Sequence, residues 1–401
     1  MRNDSGHRSP GVYYEETNKS GFPTRTLRTG VPLFVGLIVS ENPSALIVDR
    51  AIFHIQRLGQ LSCLLKKWGD KKSYLYQSVR GFFENGGHEC FVFPVYSKQS
   101  SESAAKALCE AFAEDSPLEA LDACDLICVP DVARLHHDLG CYSDVVAVQT
   151  AAIEYCNRMG DRLVILDVPE TEKSENKIQH AIEHWQSLPA GNAALYFPYI
   201  FVAGLSHAIP SCGHIAGIYA RTDERVGVHK APANENIQGA VALTFGSTDL
   251  DQTSLNEAGV NCIRVFKGLG IRVWGARTLY GQPQKKYVHV VRLILDLNRW
   301  IVRNTKDFVF ENNEPNVWGR LYRRLYSHCI ELWQQGALAG NDAQRAFFVK
   351  CDGDINTPVR RQAGELIAEI GLAAVSPAEF VIVQIARNSS NLSIFETKVI
   401  N

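Results

Sequence analysis

The sequence carries little net charge: Lys and Arg number 41 against 43 Asp and Glu, a formal balance of −2. A dedicated nucleic-acid binder shows a basic excess, so that class is not expected. So small a balance also sets up no repulsion between copies, which leaves self-association physically open. The longest strongly apolar stretch near the front, Val31–Val39, is about half of what a membrane-spanning helix needs. The opening residues, MRNDSGHRSPGVYYEE, have no apolar signal-peptide core. No Gly-x-Gly-x-x-Gly follows the early strands, and no Walker lysine loop is present, which argues against nucleotide binding. Cys-x-x-Cys pairs and a Gly-x-Ser-x-Gly elbow are also missing.

What is present points to a folded chain. Its 401 residues suggest two or three domains, or one large composite body. With 46% hydrophobic and 21% charged residues, it can bury a sizeable core. Eleven cysteines cannot all pair within one chain, and they lie in apolar segments such as Cys63 in LSCLL, Cys128 in LICVP and Cys262 in NCIRVF. They read as buried thiols of a reducing compartment. The expectation is a soluble protein made in the cytoplasm.

Residues 1–30 contain Pro10, Gly11, Gly21, Pro23 and Gly30, show no helical period, and read as an arm with one extended candidate, Val12–Glu16. An α/β region is expected over 31–282. A buried strand at Val31–Val39 precedes a helix at Ser73–Asn85, with Leu75, Val79, Phe82 and Phe83 on one stripe, and a strand at Cys90–Tyr96. Helices and strands then alternate: Glu102–Ala113 and Asp125–Val129; Ser143–Met159, with Ser143 as N-cap, and Arg162–Val168; Glu172–Gln186 and Ala193–Val202. This alternation implies right-handed crossovers and a mostly parallel sheet covered on both faces. The all-apolar LICV and LVIL suit that burial. A hairpin is expected at Asn261–Phe266 and Ile271–Gly275.

Residues 283–388 read as an α+β domain. Its helices are expected near Tyr287–Asn304, Val317–Gln335 and Pro358–Ile370, its strands at Ala346–Cys351 and Phe380–Ala386. Residues 389–401 form a C-terminal arm with room for one strand, Leu392–Glu396.

Candidate chemistry is sparse. In an open parallel sheet, ligands gather beyond the carboxyl ends of strands, where Asp131 and Asp167 stand, although an Asp there more often caps a helix or forms a turn. His136, His137 and Cys141 are close in sequence, with Cys128 upstream, but a closed zinc site wants four convergent ligands. Ser211, Cys212 and His214 are neighbours in PSCGH, whereas the members of a catalytic triad converge from separate elements. A cytosolic α/β enzyme using Asp131, Asp167 or the Cys212–His214 region is the alternative reading. No cofactor or metal is expected.

The remaining feature is the polar, glycine-punctuated stretch GHIAGIYARTDERVGVHKAPANENIQGAVAL at 213–243. It contains AGIYARTD (216–223) and GVHKAPAN (227–234), is preceded by PSCG (210–213), and includes Gly213, Arg221, Asp223, Lys230, Pro232 and Asn234. LNEAGVNCIRVFKGLGIRVWGARTL (255–279) follows with Gly275 and Arg277, then FVFENNEPNVW (308–318), LWQQGALAGNDAQRAFFVKCD (332–352) and PAEFVIVQI (377–385). Upstream stand PGVYYEE (10–16), FFENGGHECFVFPV (82–95) and CNRMGDRLVILDVP (156–169). In this order the segments resemble contractile tail sheath proteins, the outer cylinders of contractile phage tails, R-type pyocins and phage-tail-like injection systems. Cys212, in a serine position, and His229, where an aromatic is common, depart from the pattern.

The resemblance implies a subtilisin-like α/β lobe without a protease triad, and a structural subunit rather than an enzyme. Such a subunit polymerises around an inner tube and contracts without nucleotide to drive the tube through a target envelope. The implied partners are copies of itself and sheath paralogues, the inner tube protein, and baseplate and terminal cap proteins, with no nucleic acid and no membrane insertion. The implied setting is a phage tail or tail-like particle assembled in the cytoplasm. Val12, Tyr13, Tyr14 and Glu15 at one end, and Phe380, Val381, Ile382, Val383, Leu392 and Ile394 at the other, are expected in an intersubunit sheet, because main-chain hydrogen bonds persist while bodies rotate. Arg360 and Arg361, on the helix expected at Pro358–Ile370, are expected to meet acidic residues of the tube.

Overall fold

The computed structural model describes residues 28–39, 51–61, 73–97, 101–137, 141–170, 176–309, 311–375, 380–388 and 391–396. The extended candidate Val12–Glu16 lies outside these residues.

The strands of the α/β region are β1 (Pro32–Val39), β2 (Phe53–Ile55), β3 (Cys90–Ser97), β4 (Leu126–Cys128), β5 (Leu163–Asp167), β6 (Ala193–Phe197), β7 (Ile200–Val202), β8 (Glu235–Asn236), β9 (Ala240–Leu243), β10 (Asn261–Phe266) and β11 (Gly270–Trp274). Its helices are α1 (Tyr74–Glu84), α2 (Ser101–Ala111), α3 (Val132–His137), α4 (Tyr142–Met159), α5 (Lys177–Ser187), α6 (Cys212–Arg225) and α7 (Asp249–Ala258). The main sheet runs β2-β3-β1-β4-β5-β6-β10-β11-β8. Pairing is parallel from β3 to β10 and antiparallel at both ends.

Side chains alternate along each strand, and here both faces are apolar. Phe34 and Ile38 of β1 join Leu163 and Ile165 of β5 in one core with α1 and α6. Leu33, Val35 and Leu37 join Val164 and Leu166 in a second core with α2 and α4. The mostly parallel, doubly covered sheet read from the sequence is therefore present.

Local signals explain most boundaries. Ser73 caps α1 by accepting from the Tyr76 amide. Gly160, at φ 65°, stops α4 as expected, but that helix starts at Tyr142, with Cys141 rather than Ser143 at its cap. The strand expected over Ala193–Val202 is two strands, because Pro198 has no N–H to continue the ladder; beyond it β7 pairs with β9 in a small separate sheet.

The C-terminal part holds α8 (Val288–Asn304), α9 (Pro315–Gln334), α10 (Ala343–Ala346), β12 (Phe347–Lys350), α11 (Pro358–Gln362), β13 (Leu366–Ala373), β14 (Phe380–Asn388) and β15 (Asn391–Glu396). The four strands form an antiparallel sheet in sequence order. Helix α8 is shared: Val288, Val291 and Leu295 enter the first core, while Val290, Leu293, Leu297 and Ile301 enter a third core with α9 and the C-terminal sheet. Among the described residues no helix is long and apolar enough to cross a membrane.

A third expectation fails in the C-terminal part. The helix expected at Pro358–Ile370 ends at Gln362. Thr357 does cap it by accepting from the Arg360 amide, but Gly364 at φ 75° turns the chain. Residues 366–373 then pair with β12 on one side and β14 on the other, and that tertiary pairing overrides the local helical pattern.

Candidate functional site

The motif-rich stretch builds α6 and the loop after it. Glycines let α6 approach α1 backbone to backbone. A Cβ on Gly213 would stand 2.2 Å from the Ser78 carbonyl oxygen, and one on Gly217 2.5 Å from that of Phe82. Overpacking a core in this way costs about 1–3 kcal/mol. Gly213→Ala should therefore lower Tm by several degrees in a thermal melt, whereas Gly59→Ala, with open space around it, should leave it unchanged.

The far end of α6 is electrostatic. Arg221 donates to the carbonyls of Asn85 (3.2 Å) and Asn236 (2.9 Å) and pairs with Glu235 at 3.3 Å, closing the loop back onto its helix. Asp223 receives both Nη atoms of Arg292, at 2.8 and 2.5 Å. Arg292 also donates to Asp125 at 2.9 Å, and its guanidinium lies 4.8 Å from the centre of the Tyr219 ring. Burial pushes the Asp223 carboxyl up, and Arg292 pulls it down. Asp125 accepts the Gly30 and Val31 amides at 3.0 and 2.7 Å. The site thus joins the first described residues of the chain to α6 and α8.

The other motif residues are structural in different ways. Pro232 is buried and Lys230 exposed. Asn234, at φ 59°, accepts from Arg272 through its carbonyl (2.8 Å) and its side-chain oxygen (3.0 Å). Gly275 abuts the Asn261 side chain, whose oxygen accepts the Arg277 amide at 2.6 Å.

The catalytic candidates are occupied in the fold. Asp167 accepts the Ser211 amide and hydroxyl, at 2.8 and 2.6 Å, and the Cys212 amide at 3.1 Å; it ties β5 to the start of α6. Asp131 is buried and accepts the Leu37 amide at 2.8 Å. The cavity beside Asp167, lined also by Pro130, Gln149 and Tyr199, has a volume of about 10 Å³, room for about one water. Burial pushes the Cys212 thiol well up, which removes its nucleophilic form at neutral pH. His214 packs on Gly81, and burial with nearby Arg80 holds its pKa down to about 4.

His136 and His137 end α3, and Cys141 precedes α4. No group of three or more His, Cys, Asp or Glu able to hold a metal occurs among the described residues. Sequence reasoning passed over His180 and His184, four residues apart on α5. The buried His184 sits between the Tyr142 hydroxyl (2.8 Å) and Gln149 Oε1 (2.7 Å), and His180 faces the Pro169 carbonyl at 3.2 Å. It also missed Asp125 and Arg292; the signal for the latter was an arginine on the apolar stripe of VHVVRLILDLN.

Comparison with known proteins places this geometry in context. Residues 121–279, which include Asp125, Gly213 and Asp223, match the family model described as phage tail sheath protein central domain. The tail sheath protein of Salmonella phage ViI is 28% identical over 168 residues, 41% of this chain; the match spans only 26% of that relative's length. A chain in the contracted sheath complex of PVC, an extracellular contractile injection system, aligns at 30% identity and a TM-score of 0.69, covering 93% of this chain and 96% of that one. A chain in the six-fold symmetrised baseplate of the anti-feeding prophage aligns at 26% identity and a TM-score of 0.68, covering 93% of this chain and 97% of that one.

Proposed function

This chain belongs to the contractile tail sheath family, and we propose that it is the structural subunit of a cylinder that polymerises around an inner tube and contracts to drive the tube through a target envelope. The observation that carries this reading is the alignment of 93% of this chain with a chain of the contracted PVC sheath complex at 30% identity. The occupied carboxylates and the water-sized cavity support a structural rather than an enzymatic role. Its partners are copies of itself and the baseplate, and beyond them the tube and terminal cap proteins. Assembly takes place in the cytoplasm, within a phage tail or tail-like particle.

Residues 1–30 and 389–401 act as arms on a body of two domains, 31–282 and 283–388. Strand β15 already pairs with β14 of its own chain and is, among the described residues, the last strand of its sheet. An edge strand offers unpaired main-chain groups on its outer side, so it can receive a strand from a neighbour. Contraction needs no nucleotide: the extended cylinder is metastable, and a gain of a few kcal/mol per subunit adds over many copies. Electron microscopy of the purified chain tests the reading. Cylinders support it, and compact particles at assembly concentrations contradict it.

The tube contact is assigned to Arg360 and Arg361, now on the short helix α11. Both are exposed, although Arg360 donates to the Ile355 carbonyl (2.9 Å), and Arg361 donates to that of Asn313 (3.0 Å) and lies 5.6 Å from the Trp318 ring centre. Reversing both charges, Arg360→Glu with Arg361→Glu, should cut tube-bound sheath about tenfold while sparing tube-free cylinders. Unchanged assembly on the tube contradicts the assignment.

A further inference from the structure

We propose that Asp125, Arg292 and Asp223 form the mechanical anchor of the N-terminal arm, the fixed point through which a pull on the arm turns the whole subunit. The proposal rests on the arm reading above and adds where the force enters the body. Gly30 and Val31 stand immediately before β1, and their amides donate to the two oxygens of Asp125. Asp125 is held by Arg292, which is clamped in turn by Asp223. All three side chains are nearly closed to solvent, with exposures of 9%, 3% and 2%. Charge-assisted hydrogen bonds in such surroundings are among the strongest non-covalent contacts, and opening this one would strand a buried charge.

Shape reinforces charge. Gly30 has φ +72°, and a Cβ there would stand 2.5 Å from Ala220 Cα, so the arm root lies directly on α6. The three charged groups come from the approach to β4, from α6 and from α8. Since α8 packs into both the α/β body and the C-terminal core, one node ties the arm to both parts. Just outside it, Arg28 is half exposed, pairs with Glu89 at 3.8 Å, and borders a cleft of about 240 Å³. The node is closed to solvent, and the half-exposed Arg28 stands at its rim.

The test uses the full chain carrying Asp125→Asn. This keeps the Arg292–Asp223 pair balanced but removes the carboxylate that accepts both arm amides. Arg292→Lys is the second variant; its ammonium keeps the charge but lacks the fork that bridges two carboxylates. In the monomer of each, hydrogen exchange at Gly30 and Val31 should accelerate about tenfold or more while the centre of β1 stays protected. Cylinder yield under the electron microscope should fall about as much. Parent-like protection of the two amides overturns the anchor. So does lost protection with parent-like cylinder yield, when a chain lacking residues 1–20 makes no cylinders. If that deleted chain assembles like the parent, the arm reading itself falls, and the anchor with it.

Discussion

A chain lacking residues 1–20 makes no cylinders, yet unfolds with the same cooperative transition as the full chain. Both halves of this expected result have physical causes. The described core begins at Val31, and the two amides held by Asp125 belong to Gly30 and Val31, so the deletion removes no side chain of the described core and leaves the arm root tied. What it removes is Val12–Glu16, the segment assigned to a neighbour's sheet. Strand addition contributes a row of main-chain hydrogen bonds at each contact, and a cylinder repeats that contact at every subunit, so its loss is multiplied along the assembly. Electron microscopy reads the first half and a thermal melt the second. Intact cylinders from the deleted chain contradict the arm's role.

The largest expected effect on stability is that of Arg292→Met. Removing one partner of a buried ionic group strands the others and costs about 3–5 kcal/mol. The loss should depend on pH with a definite sign. Burial already pushes the Asp223 carboxyl above its ordinary value, against the pull of Arg292; without the arginine it rises further. The folded variant then binds a proton more tightly than the unfolded chain. A group raised in this way stabilises fully below its unfolded value and loses that contribution as pH rises through its folded value. The Tm gap between parent and variant should therefore narrow as pH falls from about 7.5 to about 5. Asp296, pushed up to about 6 chiefly by burial, is also pulled down by Arg292, so in the variant it rises further and narrows the gap in the same direction; His328, held down to about 4 by burial, is common to both proteins and cancels in the difference. Adding Asp223→Leu should recover part of the loss, because it removes the stranded carboxylate. A gap that is constant or widens on acidification contradicts this account of the node.

Local signals were legible in the sequence, and long-range ones were not. The alternation of helices with all-apolar strands announced the parallel sheet, and the Lys267–Gly270 turn announced the β10–β11 hairpin, because both depend on neighbouring residues. The start of α11 was legible in Thr357 and Pro358. Its end was not, since strand β13 exists only through partners at 347–350 and 380–388. The motif segments could be recognised, but not what Asp223 does: its arginine lies 69 residues further along, and the link from Asp125 to that arginine spans 167. Asp125 itself looked like the first residue of a strand. In the fold it precedes β4 and holds the root of another strand.

The most direct test of the account is a map of the assembled cylinder that resolves the C-terminal sheet. The account predicts that residues 12–16 of one copy lie as a strand in the same sheet as β14 and β15 of a neighbour. A cylinder in which neighbouring copies meet only through their bodies, with residues 12–16 against their own chain, would contradict it.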